Sequence, residues 1–588
     1  MTKDSELLTS VSKTSTDSEF FSPIPPGYKP GRTKYLFVMG TVMSGLGKGI
    51  FSSCLAKLMQ DKGLKIAPIK LEGYLNIDSG TLNPFRHGEV FVLDDGMECD
   101  MDLGTYERML DQDLSRANFC TSGQIFSNVL NKERHGDYLG RDVQMIPHVT
   151  GEVKLRLRQL AMQTGADIVF VETGGTVGDL ENAYFIEAMR ELAYEEGQNS
   201  SCFVALTYIL EPQTLGEQKS KAAQLGIKQL MQLGVQPDII ACRATNPVTD
   251  TVRQKISVYS NVPFERVISL PDSTSIYTIP AMLRDRGLDF EVARLLKVED
   301  RLNLRHERKA WAQWCDFTDK IDAAQKPVNI AITGKYTSVR DSYASIINAL
   351  EHAGIALGAK VNIKWIETTN LTDTNVSGNL VDVDGIIVPG GFGTRGAEGK
   401  ICCVKYAREN GLPYLGLCFG FQMAVIEFAR NACALSGANS TEIESDCKEP
   451  VIDVLPEQLK IEGLGGNMRL GGHDIELKPE TLAWRLFAKA RTVRMRFRHR
   501  YEVAPRYIDT LEKGGLVFSG KAPNQPIMQI LELPSHPYFI GTQAHPCLTS
   551  RPLRPQPMFV GLVAAAMQKH YPQNDSPDCV TAARNFCT

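Results

Sequence analysis

The stretch YLFVMGTVMSGLGKGIFSSCLAKLMQDKGLKIAPIKL, residues 35–71, decides the fold of the first half of this chain. An apolar strand pattern runs into a glycine-rich turn and then into a helical pattern, and a second apolar strand follows. A glycine-rich turn that opens a helix directs backbone N–H groups and the positive end of the helix dipole toward an anion. Lys48 would add a point charge there. The stretch therefore predicts a nucleotide-phosphate site, with a plain βα turn as the alternative.

The turn differs from the ordinary P-loop pattern GxxxxGK[ST]. Val42 stands where the first glycine is expected, and Gly49 replaces the Ser or Thr whose hydroxyl ligates Mg²⁺. Carboxylates elsewhere in the chain would then have to hold the metal. The candidates are Asp102, in GMECDMDLGTYER, and Glu172, at the end of the strand pattern ADIVFVE. A helix N-cap is the alternative role for Asp102.

The same alternation of strand and helix patterns continues along the chain. Strand patterns recur at residues 166–172, 202–210 and 237–244, separated by amphipathic stretches such as GEQKSKAAQLGIKQLMQLG, residues 216–234. Buried strands that alternate with helices predict a mostly parallel, doubly wound sheet. After a charged segment with a helical pattern, the alternation restarts at VNIAITG, residues 328–334. We therefore predict an α/β protein with two doubly wound domains.

The expected boundaries follow from composition. A Ser-, Thr- and Pro-rich start predicts a flexible extension, and the polar C-terminal residues predict a mobile tail. The predicted segments are the extension 1–32, the first domain 33–297, the linker 298–326, the second domain 327–572 and the tail 573–588.

Composition narrows the class of protein. The 588 residues carry a net charge of -4, which gives no reason to expect a nucleic-acid polymer or a membrane surface as a partner. The 14 cysteines show no metal-site spacing, and Cys402 and Cys403 are adjacent. No apolar run reaches the roughly 18 residues of a membrane span, and residues 1–20 lack the apolar core that a secretory signal is expected to have. We expect a cytoplasmic protein whose thiols stay reduced.

The stretch LPYLGLCFGFQMAVIEFARN, residues 412–431, has the pattern of a second chemical site. It is a strand, a sharp turn and a helix, with Cys418 between Gly416 and Gly420 as G-x-C-x-G. This pattern is typical of a nucleophile elbow, where the helix N-terminus is expected to lower the thiol pKa; a buried structural cysteine is the alternative. The base should be a distant histidine, and His545 in FIGTQAHPCLTSRP is the candidate.

These motifs together resemble a known family. The stretches KYLFVMGTVMSGLGKGI, HGEVFVLDDGMECDMDLGTYER, ERHGDYLGRDVQMIPHVT, VETGGTVGDLE and DSTSIYTIP are similar to the amidoligase domain of CTP synthases, over about residues 34–297. The stretches VPGGFGTRG, GANSTE and FRHRYEV, with the two above, are similar to the family's class I glutamine amidotransferase domain, over about residues 328–572. The resemblance implies a P-loop-like amidoligase domain followed by a class I glutaminase domain.

The resemblance also implies residue roles in the first domain. The residues expected to bind ATP and its phosphates are Gly45, Leu46, Gly47, Lys48, Gly49, Ile50, Lys70, Asp102 and Asp272. The residues expected to bind UTP or CTP are Ser44, Asp179, Leu180, Glu181, Lys219, Lys221, Gln224 and Lys255. Asp102 and Glu172 would hold Mg²⁺. Lysines are needed because two nucleoside triphosphates bring about eight negative charges together.

In the second domain the resemblance makes Cys418 the nucleophile and His545 its base. The residues expected to bind glutamine or its oxyanion are Gly391, Phe419, Gln422, Glu442 and Arg500. One position departs from the family pattern: Cys547 stands where a glutamate orients the imidazole, and a thiol is a weak acceptor. We expect glutamine use to be impaired relative to use of free ammonia.

The activity implied is that of a ligase forming a C–N bond, the ATP- and Mg²⁺-dependent amination of UTP to CTP with glutamine or ammonia. No organic cofactor is expected. The resemblance further implies GTP as an activator, CTP as an inhibitor and a homotetramer. The alternatives are a cobyrinate-type or biotin-pathway amidoligase, which lacks the pyrimidine-site lysines at this spacing, and a non-catalytic nucleotide-sensing or assembly protein.

Overall fold

A computed structural model describes residues 22–138, 141–212, 214, 216–335, 339–454, 468–573 and 578–586. Within these residues the chain divides into two compact units. Unit 1 contains the residues up to Ser79 and those from Thr105 to Gln313, and unit 2 contains Gly80–Gly104 and the residues from Trp314 onward. The predicted boundaries stay predictions. The short segment Gly80–Gly104, which the sequence pattern assigned to the first domain, belongs to unit 2.

Unit 1 is built on a seven-stranded sheet in the order β3-β2-β4-β1-β5-β6-β7, with every pair parallel. Its strands are β1 (Lys34–Gly40), β2 (Ile66–Glu72), β3 (Phe119–Thr121), β4 (Ile168–Thr173), β5 (Ser201–Tyr208), β6 (Ile239–Ala244) and β7 (Val267–Pro271). Nearly all residues of β1, β2 and β4 are buried, as expected for strands covered by helices on both faces. Their carboxyl ends meet at one edge of the sheet.

The helices of unit 1 connect these strands. They are α1 (Lys48–Asp61), α2 (Ser122–His135), α3 (Thr150–Thr164), α4 (Ala183–Glu196), α5 (Lys221–Gln232), α6 (Asp250–Ser260), α7 (Ile279–Asp285) and α8 (Leu288–Leu296). Two further helices, Met101–Leu110 and Leu304–Ala323, cross from one unit into the other along the chain. The second lies in the segment 298–326, whose pattern predicted a helix.

Unit 2 has a nine-stranded mixed sheet in the order β9-β8-β10-β11-β16-β15-β14-β12-β13. Its strands are β8 (Lys326–Gly334), β9 (Ala359–Glu367), β10 (Gly385–Val388), β11 (Tyr414–Leu417), β12 (Arg469–Leu477), β13 (Thr492–His499), β14 (Val517–Lys521), β15 (Met528–Glu532) and β16 (Phe539–Thr542). The first five strands in the sheet order are parallel, and the other four are antiparallel. The prediction of two α/β domains is confirmed, but the second sheet is less parallel than the sequence pattern indicated.

The helices of unit 2 lie between its strands along the chain or flank them. They are Pro84–His87, α9 (Ala344–Leu357), α10 (Val376–Leu380), α11 (Ala397–Glu409), α12 (Phe419–Asn431), α13 (Leu482–Leu486), α14 (Ile508–Lys513), α15 (Pro557–His570) and α16 (Cys579–Arg584). Short strands complete the unit: Phe91–Val92 pairs with Glu98–Cys99, and Ala438–Ser440, Glu449–Asp453 and Glu502–Val503 form a small sheet. Among the described residues, no helix has the length and apolar character needed to cross a bilayer.

Three arginines of β13 hold the segment Gly80–Gly104 in unit 2. Arg494 binds the Asp94 carboxylate at 2.8 Å, Arg496 donates to the Val92 carbonyl at 3.1 Å, and Arg498 donates to the Glu98 carboxylate at 2.6 Å. These arginines are two residues apart on a strand, so their side chains leave the same face. The pattern R-x-R-x-R therefore forms a row of cationic contacts along the inserted segment.

Both chain ends that the structure describes are packed. Tyr28 donates a hydrogen bond to the Glu196 carboxylate at 2.8 Å, so the last part of the predicted extension lies against unit 1. At the other end Asp578 caps α16, whose Ala582 and Ala583 are buried. Residues 1–21 of the predicted extension, and 574–577 and 587–588 of the predicted tail, lie outside the described residues.

Candidate active sites

The turn between β1 and α1 carries the predicted phosphate-contact residues. Gly45 and Gly47 both have φ of 74°, a left-handed conformation that glycine adopts without steric cost. Helix α1 begins at Lys48, with Gly47 as its N-cap, so the N–H groups of its first turn have no partner within the helix. Ser44 is exposed, whereas Leu46 is buried and would offer only its backbone. The geometry of the turn suits an anion.

The same turn approaches the loop that follows β4. Lys48 Nζ donates to the Gly175 carbonyl at 2.7 Å, which places the ammonium group between the two loops. Gly49 is buried in the first turn of α1 and Ile50 is partly buried. These two residues would therefore contact an anion through their backbone groups. The two glycine-rich loops of adjacent strands therefore form one polar edge of the sheet.

A buried group of charges lies at this edge. Glu172 of β4 accepts hydrogen bonds from Lys70 Nζ at 2.6 Å and from the Tyr106 hydroxyl at 3.2 Å, and its side chain is fully buried. Lys70 also lies 3.5 Å from the Glu72 carboxylate. Carboxylate oxygens next to a phosphate site are the ligands that Mg²⁺ prefers, so these residues fit such an ion. Glu72 was missed by sequence reasoning, although it ends a strand at the same sheet edge as Glu172.

Asp102 lies in the first turn of helix Met101–Leu110 and is partly buried. Its backbone N–H is bound by the Asp100 carboxylate at 2.8 Å, so Asp100 stabilises the start of this helix and the Asp102 carboxylate is not needed as a cap. Asp102 belongs to unit 2 and Glu172 to unit 1. Their joint role as metal ligands stays a prediction.

Of the residues predicted to bind the pyrimidine, Asp179, Leu180 and Glu181 form the end of the loop after β4. The Asp179 carboxylate accepts from the backbone N–H and the hydroxyl of Thr176 at 2.7 and 2.8 Å, so it stabilises the loop itself. The Leu180 side chain is 85% exposed and Glu181 is also exposed. The loop is thus rigid at Asp179 and open to solvent at the next two residues.

The predicted triphosphate-binding residues lie around the start of α5. Lys219 pairs with Glu217, the Lys221 ammonium lies 5.9 Å from the centre of the Tyr259 ring, and Gln224 follows one turn later. Lys255 is exposed on α6. Three lysines, Lys219, Lys221 and Lys255, thus lie on neighbouring elements of unit 1, and their charges would attract a polyanion.

Asp272, predicted near the ATP base, follows the last strand of the sheet, β7. Its carboxylate accepts a hydrogen bond from Arg243 of β6 at 2.8 Å, and its backbone N–H binds the Ala244 carbonyl. Asp272 therefore lies at the carboxyl edge of the sheet, on the same edge as the glycine-rich loops.

In unit 2, Cys418 occupies a strained turn between β11 and α12. Its φ of 50° and ψ of -101° are unusual for a residue with a side chain, as expected for a nucleophile elbow. A Cβ built on Gly420 would lie 1.9 Å from the Val388 carbonyl oxygen, so only glycine fits there. The turn requires the sequence G-x-C-x-G because the helix start touches the backbone of β10. The nucleophile-elbow pattern is therefore present in the fold.

Cys418 and His545 line one cavity of about 130 Å³ in unit 2, together with Gly390 and Gly391. A Cβ built on Gly390 would lie 3.0 Å from His545 Cε1 and 3.8 Å from Cys418 Cβ, so both side chains flank this glycine. The Arg498 carbonyl accepts a hydrogen bond from Cys418 Sγ at 3.6 Å and another from the His545 ring. The thiol and the imidazole are thus adjacent, as predicted.

Burial keeps both groups neutral. It raises the pKa of Cys418 to about 12, an effect that the nearby Glu442 strengthens. Burial also lowers the pKa of His545 to about 3, and the positive charge of Arg498 adds to this effect. The N–H of Phe419 at the helix N-terminus lowers the thiol pKa, in the direction predicted, but desolvation of the thiolate raises the pKa by more.

The position of the expected triad acid is occupied by Cys547, which is buried in the single-turn helix Pro546–Thr549. His545 Nε2 is buried and accepts or donates no hydrogen bond within the part of the chain that the structure describes. A carboxylate that orients the imidazole would bind a ring nitrogen. The unsatisfied nitrogen is consistent with the predicted absence of that carboxylate.

The predicted glutamine-binding residues gather near the elbow. Gln422 donates to the Tyr501 carbonyl at 3.0 Å, while its buried Oε1 has no partner among the described residues. Glu442 binds the Gly393 N–H at 2.9 Å; burial raises its pKa, and the charge of Arg500 partly opposes this. A carboxylate, a guanidinium and an open amide oxygen suit the amino and carboxylate groups of an amino acid.

The residues predicted to donate to the oxyanion, Gly391 and Phe419, are also near the thiol. The N–H of Phe419 donates to the Cys418 sulfur, which acts to lower the thiol pKa. Gln543, which sequence reasoning missed, donates to the same sulfur at 3.5 Å. Gln543 lies two residues before His545, and no signal in a single sequence distinguishes it from other buried amides.

A thiol elbow beside a buried histidine defines a cysteine-dependent amide hydrolase on an α/β sheet. Residues 338–565 match the family model of class-I glutamine amidotransferases, which places unit 2 in that class. Residues 34–298 match a second family model, described as the CTP synthase N-terminus.

Curated relatives span nearly the whole chain. A CTP synthase of Thermococcus gammatolerans is 49% identical over 540 residues, which is 92% of this chain and 99% of the relative. A CTP synthase of Thermus thermophilus is 45% identical over 544 residues, which is 92% of this chain and 98% of the relative. The chain belongs to the CTP synthase family. It is an enzyme, a ligase with a glutaminase domain.

Proposed function

We propose that this enzyme aminates UTP to CTP with ATP, taking nitrogen from glutamine or from free ammonia. The adjacency of Cys418 and His545 in unit 2 is the observation that carries the proposal, and the phosphate-type loop of unit 1 supports it. It fits a reaction in which one unit releases ammonia and the other consumes it.

In unit 2, Cys418 Sγ attacks the amide carbon of glutamine after His545 accepts the thiol proton. The C–N bond then breaks, and His545 returns the proton to the leaving nitrogen, which departs as ammonia. Water hydrolyses the remaining thioester to glutamate. Burial raises the pKa of Cys418 to about 12, so the thiol is neutral before substrate binds. The proton moves only after binding, because the N–H groups at Gly391 and Phe419 stabilise negative charge once the oxyanion forms.

In unit 1, the γ-phosphoryl group of ATP is transferred to the 4-oxygen of UTP, giving ADP and a 4-phosphorylated pyrimidine. Ammonia attacks C4, the C4–O bond breaks, and phosphate leaves to give CTP after loss of a proton. Lys48, Lys70 and the N-terminus of α1 bind and orient the phosphates. Lys219, Lys221 and Lys255 neutralise the UTP triphosphate.

Glu172 and Asp102 would hold Mg²⁺, which would neutralise charge on the ATP phosphates when bound. Glu72 lies close enough to Lys70 to orient its ammonium group toward the same phosphates. We further propose GTP as an activator, CTP as an inhibitor, a homotetramer and a cytoplasmic location, all from the family resemblance.

The test is a CTP-formation assay with UTP, ATP and Mg²⁺, run once with glutamine and once with ammonium chloride as nitrogen donor. We expect CTP to form with ammonium chloride, and we expect a lower rate of CTP formation with glutamine. Absence of CTP with both donors would exclude the proposal and favour a non-catalytic, nucleotide-sensing role. Amination of a different acceptor in place of UTP would instead favour another amidoligase.

A further inference from the structure

A buried lysine lies behind the glycine loop of the glutaminase cavity. Lys400 is in the first turn of α11 and is 3% exposed. Its Nζ donates to the Pro389 carbonyl at 2.8 Å and to the Gly390 carbonyl at 3.4 Å, and lies 5.3 Å from the centre of the Phe419 ring. An ammonium group is costly to bury, so these carbonyls must offset the desolvation.

The loop lies between this lysine and the catalytic pair. A Cβ on Gly390 would meet His545 at 3.0 Å, while a Cβ on the next residue, Gly391, would meet Lys400 Nζ at 3.4 Å. Two glycines in a row can rotate the peptide between them more easily than any other pair, because neither has a side chain to restrict it. Some contact must therefore fix the orientation of the Gly390–Gly391 peptide.

We propose that Lys400 is a positioning residue for the oxyanion hole: its ammonium group holds the Gly390 carbonyl so that the Gly391 N–H points at the oxyanion formed on Cys418. In a trans peptide the C=O and the N–H point in opposite directions, so fixing one fixes the other. This inference rests on the proposed glutaminase activity. Lys400 touches no substrate atom and acts only through the loop.

A second lysine holds the other end of the loop. Lys335 donates to the Phe392 carbonyl, and Glu442 accepts the Gly393 N–H at 2.9 Å. Burial lowers the pKa of Lys400 to about 7, and the charge of Lys335 contributes to the same shift. Cations thus bind three carbonyls of the loop, those of Pro389, Gly390 and Phe392, and Glu442 binds the Gly393 N–H.

The test replaces Lys400 with methionine, which has a similar volume and no N–H donor. We expect kcat for glutamine hydrolysis to fall about 10- to 100-fold, somewhat less than complete removal of an oxyanion donor costs. The KM for glutamine should stay within about two-fold of the wild-type value, and so should the rate of CTP formation from ammonia, since neither depends on the Gly391 N–H. The matched control is Lys405→Met on the same helix, whose side chain is partly exposed and pairs with Asp373; it should change none of these values.

Alkylation of Cys418 by iodoacetamide at pH 9 separates positioning from other roles. Displacement of iodide forms no oxyanion, so Lys400→Met should alkylate at the wild-type rate while hydrolysing glutamine slowly. Equal loss of alkylation and hydrolysis, a loss confined to KM, or wild-type hydrolysis by Lys400→Met would each overturn the proposal. The variants are made in both the wild-type and the Cys547→Glu background; if neither parent hydrolyses glutamine, the proposed glutaminase itself fails, and the role of Lys400 fails with it.

Discussion

At the scale of single residues, the glutaminase site has the backbone of a nucleophile elbow at Cys418, but the imidazole of His545 has no carboxylate partner at position 547. Cys418 has the strained backbone of a nucleophile elbow and lies near the proposed oxyanion donors, while the Nε2 atom of His545 is buried without a partner in the described part of the chain. An imidazolium formed there would be stabilised by no carboxylate at position 547. The site should therefore bind glutamine normally and turn it over slowly.

Replacing Cys547 with glutamate should raise glutamine-driven CTP formation by at least about ten-fold, because loss of the acid costs about 10⁴-fold in a serine triad and less in a cysteine enzyme. Ammonia-driven formation should not change. The measurement is steady-state CTP formation with each donor. Cys547→Gln, which has the same shape and no charge, is the control and should stay at the wild-type rate. Equal rates for Cys547→Glu and wild type would mean that the position does not limit glutamine hydrolysis.

The pKa values of the same pair predict a pH dependence. Because burial raises the pKa of Cys418 to about 12, the thiolate fraction in the ligand-free enzyme should keep increasing through alkaline pH. We expect the rate of Cys418 alkylation by iodoacetamide to rise about ten-fold per pH unit between pH 7 and 10. Mass spectrometry of the Cys418 peptide measures this rate. A plateau below pH 9 would show that the thiol is activated before substrate binds.

At the scale of elements, the start of α12 depends on close contact with β10. A Cβ on Gly420 would lie 1.9 Å from the Val388 carbonyl oxygen, so Gly420→Ala must move the helix and the elbow with it. We expect a destabilisation of unit 2 of about 2 kcal/mol or more and loss of glutamine-driven activity. Differential scanning calorimetry with both donor assays measures this.

The matched control for that change is Gly378→Ala in α10. A Cβ on Gly378 meets no atom within 4 Å, so alanine should be neutral or stabilising by up to about 1 kcal/mol. Ammonia-driven CTP formation should survive both changes, because neither position is among the residues proposed to bind ATP, UTP or Mg²⁺. If Gly420→Ala retains glutamine use, the elbow tolerates more movement than its close packing indicates.

The sequence predicts elements well where local pattern and tertiary environment agree. Strands such as β1 and β4 and the turn at Gly47 follow from apolar runs that end in glycines. The mixed sheet of unit 2 was not predicted, because the antiparallel pairing of β12 to β15 leaves no signal in the sequence pattern that distinguishes it from parallel pairing. The segment Gly80–Gly104 could not be assigned either, since its contacts, such as Arg494 with Asp94, join residues 400 positions apart.

The site residues divide in the same way. Cys418 and His545 were found because a glycine-flanked cysteine and a histidine before proline are local patterns. Lys400 was not, because a lysine on an amphipathic helix ordinarily faces water, and only the fold shows it buried under the glycine loop. The direction of the Cys418 pKa shift also depended on burial, which the sequence does not give.

At the scale of the whole molecule, the two units should be separable by the nitrogen donor. Lys48→Met removes the charge at the phosphate turn of unit 1, so CTP formation should fall by about 10²-fold or more with glutamine and with ammonia alike. Cys418→Ala should abolish the glutamine reaction and leave the ammonia reaction at its wild-type rate. Lys65→Met, at an exposed position between α1 and β2, is the control for loss of one lysine charge.

The ratio of the glutamine-driven rate to the ammonia-driven rate then shows which of the two reactions a substitution affects. A variant that lowers both rates equally acts on phosphoryl transfer or on attack at C4, whereas one that lowers only the glutamine rate acts on ammonia release or its delivery. Lys48→Met should keep the wild-type ratio, and Cys418→Ala should bring it to zero. If Lys48→Met instead lost only the glutamine reaction, the phosphate turn would serve the glutaminase, and activation of the pyrimidine would have to be sought elsewhere in unit 1.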